Sequence, residues 1–347
     1  MKRIGLVVVG TLCASAAFGD LSEYVDPLVG TAGTGHTFPG ACVPFGMVQA
    51  SPDTGNRGWE HCSGYVYGTN SIAGFSQTHL NGTGCPDLGD VRLLPFVGTD
   101  VMESLPYRHE DEVAKPGFYS LKLDGGRVSV EVVAAEHSAI YRITYSGEGA
   151  RRLLVDPQWG MGGDSSNRVL EGCVSLERKT GVVGSVRVKR WVERRYSFVV
   201  AFDHAFARCD ELPRRPGEKV PRYAFTFDLK DGEALMVKVG LSRKSPDAAR
   251  KNLAAEIPGW DFDAVKNAAR QKWNEVLGKA VIEGTDEQKK NWYTSLYHLC
   301  IQPNNIADVG EKPFYSTFSC WDTFRAAGPL YTILYPEKAA EFVDSML

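Results

Sequence analysis

The chain has 347 residues, of which 43% are hydrophobic and 23% are charged, and its formal net charge is −3. This composition excludes extended disorder and a fibrous repeat, and the near balance of charge gives no electrostatic signature for binding nucleic acid. The length is enough for about two domains. The 36 glycines and 18 prolines favour a turn-rich, mainly β architecture over a helical bundle.

Residues 1–19 have the pattern of a secretory signal peptide. Two basic residues precede a short apolar run, and small residues stand just before an expected cleavage ahead of Asp20. Cys13 would suit a lipoprotein signal, but the bulky Leu12 before it makes that the weaker interpretation. No later stretch approaches the ~20 apolar residues of a membrane helix, so no membrane span is expected. We therefore expect a secreted or periplasmic protein.

Seven cysteines follow the signal segment, at positions 42, 62, 85, 173, 209, 300 and 320. Their spacing contains no C-x-x-C motif, so a structural zinc site is not indicated. Cys42, Cys62 and Cys85 share one glycine-rich region. Two interpretations are open for them, a disulfide bridge or buried free thiols.

The region from about residue 100 to residue 245 shows period-two alternation of apolar and polar residues. Apolar positions alternate, or nearly so, in a series of short segments: residues 118–123, 128–132, 140–145, 182–192, 197–202, 223–229 and 235–241. Strands of this length without intervening helices predict a large antiparallel sandwich. We assign residues 20–245 to this N-terminal β-sandwich domain.

The hydrophobic period then becomes helical. Residues 262–280 carry apolar side chains on one helical face, with Asp261 or Asp263 as the candidate N-cap, and we assign 246–284 to a helical linker. Thr285 and Gln288 form a capping-box pattern that opens the next helix. Pro336 suits the first turn of another helix, which is still in mid-period at Leu347. We expect residues 285–347 to be the start of a helical second domain of a longer protein.

Two motifs carry candidate binding residues. Trp59 lies in a glycine-rich loop beside charged residues, which suits sugar recognition because the C–H face of a pyranose packs on an aromatic ring. The alternative is that Trp59 closes the core of its own sandwich. Asp322 and Arg325 are three residues apart near a helix start. They would form either a salt bridge or a pair that binds vicinal hydroxyls.

A third motif, residues 75–90, gathers one histidine and two aspartates among glycines: His79, Asp87 and Asp90. Such a loop suits a metal or catalytic site. The competing interpretation is a structural loop held together by hydrogen bonds, since a single histidine and glycine-permitted turns are common in such loops.

Several blocks of the chain resemble glycoside hydrolase family 92, a family of exo-acting α-mannosidases. They are residues 24–31 (YVDPLVGT), 33–41 (GTGHTFPGA), 43–49 (VPFGMVQ), 51–54 (SPDT), 63–65 (SGY), 74–90 (GFSQTHLNGTGCPDLGD) and 318–325 (FSCWDTFR). The resemblance implies an N-terminal β-sandwich, a helical linker and an (α/α)6 toroid, with the active site between the two domains. It implies that residues 285–347 are the first helices of a truncated toroid.

The resemblance also implies a function, the calcium-dependent hydrolysis of terminal α-mannose from glycans with inversion at the anomeric carbon. Inversion requires one carboxylic acid and one carboxylate base. The resemblance implies that these groups, and most of the calcium-site residues, lie beyond the position of Leu347, so we expect no catalytic residue in this chain and no activity from it alone. Trp59 and Asp322 match positions that shape the terminal mannose subsite, with Trp321 and Arg325 as neighbours. The alternative function is a secreted, non-catalytic, glycan-binding β-sandwich module.

Overall fold

The computed structural model describes residues 6–7, 19–163, 168–321 and 323–347, so most of the predicted signal peptide lies outside the described residues. Within the described part, the strands in chain order are β1 (Leu6–Val7), β2 (Ala41–Cys42), β3 (Gln49–Asp53), β4 (Ser71–Ile72), β5 (Gly74–Ser76), β6 (Arg92–Val97), β7 (Leu105–Lys115), β8 (Phe118–Leu123), β9 (Val128–Ala134), β10 (Ser138–Tyr145), β11 (Arg151–Asp156), β12 (Val169–Glu177), β13 (Gly181–Lys189), β14 (Glu193–Phe202), β15 (Arg208–Glu211), β16 (Tyr223–Phe227), β17 (Ala234–Ser242), β18 (Val281–Ile282), β19 (Asn304–Asn305) and β20 (Tyr315–Ser316). The α-helices are α1 (Pro246–Glu256), α2 (Phe262–Leu277), α3 (Asp286–Leu299), α4 (Ala327–Leu334) and α5 (Pro336–Met346), and 3-10 turns cover Leu21–Tyr24, Trp59–His61 and Asp124–Gly126.

Two antiparallel sheets form most of the chain before residue 245. The larger sheet has the strand order β12-β13-β14-β17-β10-β9-β8-β7-β4, and the smaller has the order β15-β16-β11-β6-β5-β3-β2. Their facing side chains share one apolar core, in which Val130, Tyr141, Leu153 and Phe225 are no more than 1% exposed. The predicted mainly β sandwich is thus present. Small pairs of strands, β1 with β18 and β19 with β20, stand apart from it.

The alternation of the sequence sets the register of the central strands. In β9 and β10, Val130 pairs with Ile143 and Val132 pairs with Tyr141, which turns all four side chains toward the shared core. A slip of one residue would turn the whole set to the other face. One predicted strand is too long: the alternation of residues 182–192 indicates a strand to Val192, whereas β13 ends at Lys189 and a turn follows.

Helices α1 and α2 cover the other face of the larger sheet. Ser245 caps α1 by accepting from a backbone N–H in the first turn, and Asp261 does the same for α2. Leu253 of α1 and Phe262 of α2 pack with Phe118 of β8 in a second apolar layer. Both helices of the segment 246–284 therefore lie against the sandwich.

A separate apolar core joins the start of the chain to the helices. Leu21 and Phe45 pack there with Trp273 of α2 and Tyr297 of α3. The backbone N–H of Leu21 donates to Asn274 Oδ1 at 2.8 Å. The N–H of Phe45 donates to a backbone carbonyl just after α3, also at 2.8 Å. The N-terminal arm, defined here as residues 20–45, thus contacts elements more than 200 positions further along the chain.

The predicted starts of α3 and α5 are present. The capping box pairs Thr285 with Gln288 in both directions, at 2.9 and 3.3 Å, and α5 begins at Pro336. The apolar face of α5 is covered only in part. Phe342 is buried, whereas Val343 is 51% exposed and Met346 is 53% exposed, because no described element lies against that side.

The seven cysteines in the described residues are all free thiols. Cys42 and Cys62 are buried, which agrees with the second of the two interpretations given above. Burial raises the pKa of the Cys42 thiol to about 12, so the thiol is protonated and unreactive at neutral pH.

Candidate functional site

Three loops of the sandwich meet around Trp59. The ring of His36 stands edge-on against the indole, with ring centroids 4.3 Å apart and an interplanar angle of 88°. A Cβ atom on Gly84 would lie 2.3 Å from Trp59 Nε1, so only glycine permits this approach. The N–H of Gly82 donates to the carbonyl of His36 at 2.7 Å and joins the first loop to the third. Trp59 is 56% exposed, so it does not close the sandwich core.

The third of these loops also touches the helical part of the chain. The N–H of Asn81 donates to Gln302 Oε1 at 3.3 Å, and its side-chain amide donates to the carbonyl of His298 at 3.4 Å. Gln302 in turn donates from Nε2 to the carbonyl of His79 at 3.4 Å. The loops around Trp59 therefore lie beside the junction between the sandwich and the end of α3.

His79 is fully buried in a hydrogen-bond network. Its Nε2 lies 2.8 Å from Asp53 Oδ1 and 3.0 Å from Ser76 Oγ, and its Nδ1 lies 2.8 Å from the carbonyl of Gln49. Trp159 Nε1 donates to the other oxygen of Asp53 at 2.8 Å. A serine, a histidine and an aspartate are thus adjacent, but none is exposed to a substrate. The network has a structural role, since every polar atom named here already has a partner inside the protein.

Asp90, from the same loop, is held between two guanidinium groups. Arg168 pairs with Oδ1, and Arg194 bonds Oδ2 at 2.7 Å and Oδ1 at 3.0 Å. Burial alone would raise the pKa of Asp90, but Arg194 and Arg168 hold it at about 2. A carboxylate with so low a pKa stays ionised and cannot act as a general acid. The arrangement agrees with the hydrogen-bonded structural loop and not with a catalytic one.

The structure places two of the other predicted site residues, Trp321 and Arg325, on the surface. Trp321 is 85% exposed, and the neighbouring Phe324 is 71% exposed. The guanidinium carbon of Arg325 lies 6.0 Å from the centroid of the Phe324 ring. Asp322 lies outside the described residues. Among the rings that the structure describes, Trp59 contacts His36 and makes no ring contact with Trp321.

One group of side chains in the described part of the chain has the geometry of a metal site. Ligand atoms of Glu136, His137 and Glu256 lie within 4.8 Å of one another. Calcium prefers oxygen ligands in numbers of about six to eight. Here His137 contributes nitrogen, its Nδ1 is bonded to Glu256 at 2.7 Å, and Glu136 is bonded to Asn305 at 2.7 Å. These residues do not fit calcium. The pairing of His137 with Glu256 instead connects the β9–β10 turn to α1.

Comparison of the chain with models of known protein families identifies its family. Residues 24–242 match the glycosyl hydrolase family 92 N-terminal domain, and residues 248–347 match the glycosyl hydrolase family 92 catalytic domain. The chain belongs to glycosyl hydrolase family 92. The resemblance found in the sequence and the predicted fold, a mainly β sandwich followed by helices, are both confirmed.

Relatives of this family 92 chain agree with the assignment. A curated protein of Arthroderma benhamiae, named an uncharacterized secreted glycosidase, is 29% identical over 94% of this chain and 49% of its own length. The solved structure of a family GH92 α-mannosidase from Bacteroides thetaiotaomicron, in complex with mannoimidazole, is 29% identical with a TM-score of 0.87, and the match covers 94% of this chain and 48% of that one. A GH92 inverting mannosidase from strain VPI-5482 of the same species is 26% identical with a TM-score of 0.81, over 94% and 48% of the two chains. The family 92 chain therefore spans about half the length of these relatives.

Two findings bear on the expected location of the protein. No helix among the described residues of this family 92 chain is long and apolar enough to cross a membrane. The fungal relative is named as secreted. The signal peptide of residues 1–19 stays a prediction.

Sequence reasoning missed one exposed aromatic near the site. Trp191 is assigned by pattern to a strand that runs to Val192, but the structure puts it in the turn between β13 and β14, where it is 71% exposed. The sequence does contain a feature that could have identified this turn. Two apolar residues, Trp191 and Val192, follow Lys189 and Arg190, and such a pair interrupts the alternation of the segment.

Proposed function

We propose that the whole protein is a secreted exo-acting α-mannosidase, which hydrolyses terminal α-mannose from glycans with inversion at the anomeric carbon. The match of residues 248–347 to the family's catalytic domain carries this proposal, because a glycan-binding sandwich alone would not need that domain. The mannosidase relatives and the exposed Trp59 beside the domain junction support it. Mannose-containing glycans are then the substrate class.

In this proposal the present chain contributes substrate binding, and the acid and base come from beyond Leu347. An inverting hydrolase needs two carboxyl groups about 6.5–9.5 Å apart around the bond to be cleaved. Asp53 and Asp90, two of the buried carboxylates beside the Trp59 loops, are held by a histidine and by two arginines respectively. We assign the calcium requirement of the family to residues outside this chain as well.

Trp59 and Asp322 are the proposed contacts to the terminal mannose, with Trp321 and Arg325 beside them. The indole would pack on the C–H face of the sugar, and the carboxylate would accept hydrogen bonds from vicinal hydroxyls. Loss of a hydrogen bond to a charged group costs about 1.5–3 kcal/mol. Replacing Asp322 by alanine would therefore lower kcat/KM roughly 10- to 200-fold.

The test compares the whole protein with the 347-residue chain on an aryl α-mannoside and on manno-oligosaccharides. We expect turnover only by the whole protein, its loss on chelation of calcium, and release of β-mannose as the first product, detected by NMR. Asp322→Ala should lower kcat/KM without lowering the melting temperature. If Asp322 instead forms a salt bridge with Arg325, Asp322→Ala and Arg325→Ala should both lower the melting temperature. If the whole protein binds manno-oligosaccharides but turns none over, the alternative of a non-catalytic glycan-binding module is correct.

A further inference from the structure

The turn between β13 and β14 presents an aromatic side chain to solvent. Trp191 is 71% exposed and Val192 is 62% exposed, whereas both flanking strands bury apolar side chains in the sandwich. The turn itself is short, with the N–H of Arg190 donating to the carbonyl of Val192 at 3.4 Å. Large apolar side chains left exposed in this way commonly mark a binding surface.

A buried carboxylate holds this turn in place. Asp87 is 5% exposed, and its Oδ2 accepts from the backbone N–H of Trp191 at 3.2 Å and from that of Val192 at 3.3 Å. Arg194, at the start of β14, lies 3.7 Å from the other oxygen of Asp87 and also pairs with Asp90. The backbone that carries the indole is therefore held by the protein before any ligand arrives, so binding does not have to order the turn.

The indole forms one wall of a cleft of about 640 Å³. Pro86, Gly162, Lys189 and Arg190 form the remainder. A Cβ atom on Gly162 would lie 3.4 Å from both Pro86 and Arg190, so the absence of a side chain there keeps the floor of the cleft open. The cleft is shallow and open to solvent on its outer side, so it could contact one face of a ligand.

The cleft shares a loop with the Trp59 site. Pro86 lines the cleft, and Gly84, two residues earlier, lies directly against the indole of Trp59. One short loop therefore contributes to both places, and an extended ligand seated at Trp59 could continue toward Trp191. An exposed indole with lysine and arginine donors beside it has the chemistry that recognises a pyranose: a flat apolar face and hydrogen-bond donors for hydroxyls.

We propose that the cleft at Trp191 is a second saccharide subsite, which binds an inner sugar unit of an oligosaccharide whose terminal residue lies at Trp59. The placement of the terminal residue rests on the proposed function, whereas the capacity of the cleft to bind a sugar does not. The subsite makes the protein selective for extended glycans over single mannosides. Trp191 supplies the stacking surface, and Lys189 and Arg190 supply donors.

The first experiment measures, in the whole protein, the ratio of kcat/KM on an α-linked mannohexaose to that on an aryl α-mannoside. Trp191→Ala should lower this ratio roughly 5- to 30-fold, the range for truncation of an aromatic anchor, and Trp191→Phe should retain most of it. Leu176→Ala, at an exposed apolar side chain of β12 that pairs with the opposite end of β13, is the matched control and should leave the ratio unchanged. An unchanged ratio in Trp191→Ala would refute the subsite.

The second experiment keeps this inference separable from the proposed function. Calorimetric titration of an uncleavable thio-linked manno-oligosaccharide measures binding even if the whole protein has no hydrolytic activity. Trp191→Ala should weaken that binding by a similar factor while leaving the affinity for free mannose unaltered. Equal affinity in wild type and variant, or an indole at position 191 that acrylamide cannot quench because the remainder of the protein covers it, would overturn the proposal.

Discussion

The sandwich and the last helices bury their apolar side chains to very different extents. The core between the two sheets is closed, and its central side chains, such as Val130 and Phe225, are 0% exposed. Around α4 and α5 large apolar side chains remain in contact with solvent: Trp321, Phe324, Ile333, Val343 and Met346 are all more than 50% exposed. The stability of the described chain is therefore concentrated in the sandwich and the elements that cover it, and substitutions should have unequal effects in the two regions.

The largest difference is expected from truncation. A chain of residues 20–245 would lose α1 and α2, which cover Phe118 and its neighbours on the larger sheet. A chain of residues 20–284 keeps that layer. We expect the longer chain to give soluble protein with a cooperative melting transition and the shorter one to aggregate, because a large apolar sheet face would be exposed. Equal yields and equal melting behaviour would show that the two helices do not stabilise the sandwich.

Asp90→Ala tests the closed region by leaving Arg168 and Arg194 without their carboxylate. Breaking a buried ion pair from one side costs about 3–5 kcal/mol of unfolding free energy. Asp344→Ala is the matched change on α5, where Asp344 pairs with Lys312 at 3.0 Å and both side chains are more than 50% exposed. That variant should lose less than about 1 kcal/mol. Denaturant titration of both variants measures the contrast, and similar losses would contradict it.

Trp273→Phe probes the apolar core that joins the N-terminal arm to the helices. Trp273 is fully buried, and its Nε1 donates to the carbonyl of Cys42 at 2.7 Å. The phenylalanine keeps a ring in place but leaves that carbonyl without its donor, at a cost of about 1–3 kcal/mol. Trp321→Phe, at the exposed end of the chain, should change the melting temperature little. A melting temperature equal to wild type in Trp273→Phe would mean that the hydrogen bond contributes nothing.

The smallest expected effect is a pH dependence at the join between the sandwich and α1. Burial by itself lowers the pKa of His137, but the hydrogen bond and charge of Glu256 outweigh it and raise the pKa above the ordinary value. The stabilisation is therefore complete below the pKa of the unfolded state, and it is lost as the pH rises through the higher folded-state pKa. His137→Gln should remove most of this fall in melting temperature. His204→Gln should remove less of it, because His204 is half-exposed and solvent screens its interaction with Asp203, which also raises its pKa. If His137→Gln shows the same pH dependence of the melting temperature as the wild type, the His137–Glu256 pair does not cause that dependence.

Local pattern predicted those parts of the fold that local chemistry determines. The alternation in β8, β9, β10 and β17 and the capping box at Thr285 are all present. Strand β6 lacks alternation because every one of its residues is buried, including both Leu93 and Leu94, so a period-two test could not find it. Fully buried strands have to be recognised from apolar runs and not from alternation.

The candidate site was predictable only in part. The loop with Trp59 stands out through its composition, and the family resemblance depends on contiguous blocks. By contrast, the pairing of Asp90 with Arg194 joins residues 104 positions apart, and no spacing within the sequence indicates it. The same holds for the carboxylate of Asp87, which fixes the turn at Trp191. Long-range ion pairs of this kind become visible only in three dimensions.

The N-terminal arm has a consequence for how a substrate would reach the proposed site at Trp59. Residues 20–45 begin against α2 and continue into the smaller sheet, and Phe45 exchanges backbone hydrogen bonds with the segment after α3 at 2.8 Å in both directions. Because the arm contacts both the sandwich and the segment after α3, it opposes a hinge motion between them. Such a motion would break the backbone hydrogen bonds of Phe45 and the apolar core around it. The entrance is therefore expected to be preformed, and its width, more than any closing motion, would decide which glycans enter.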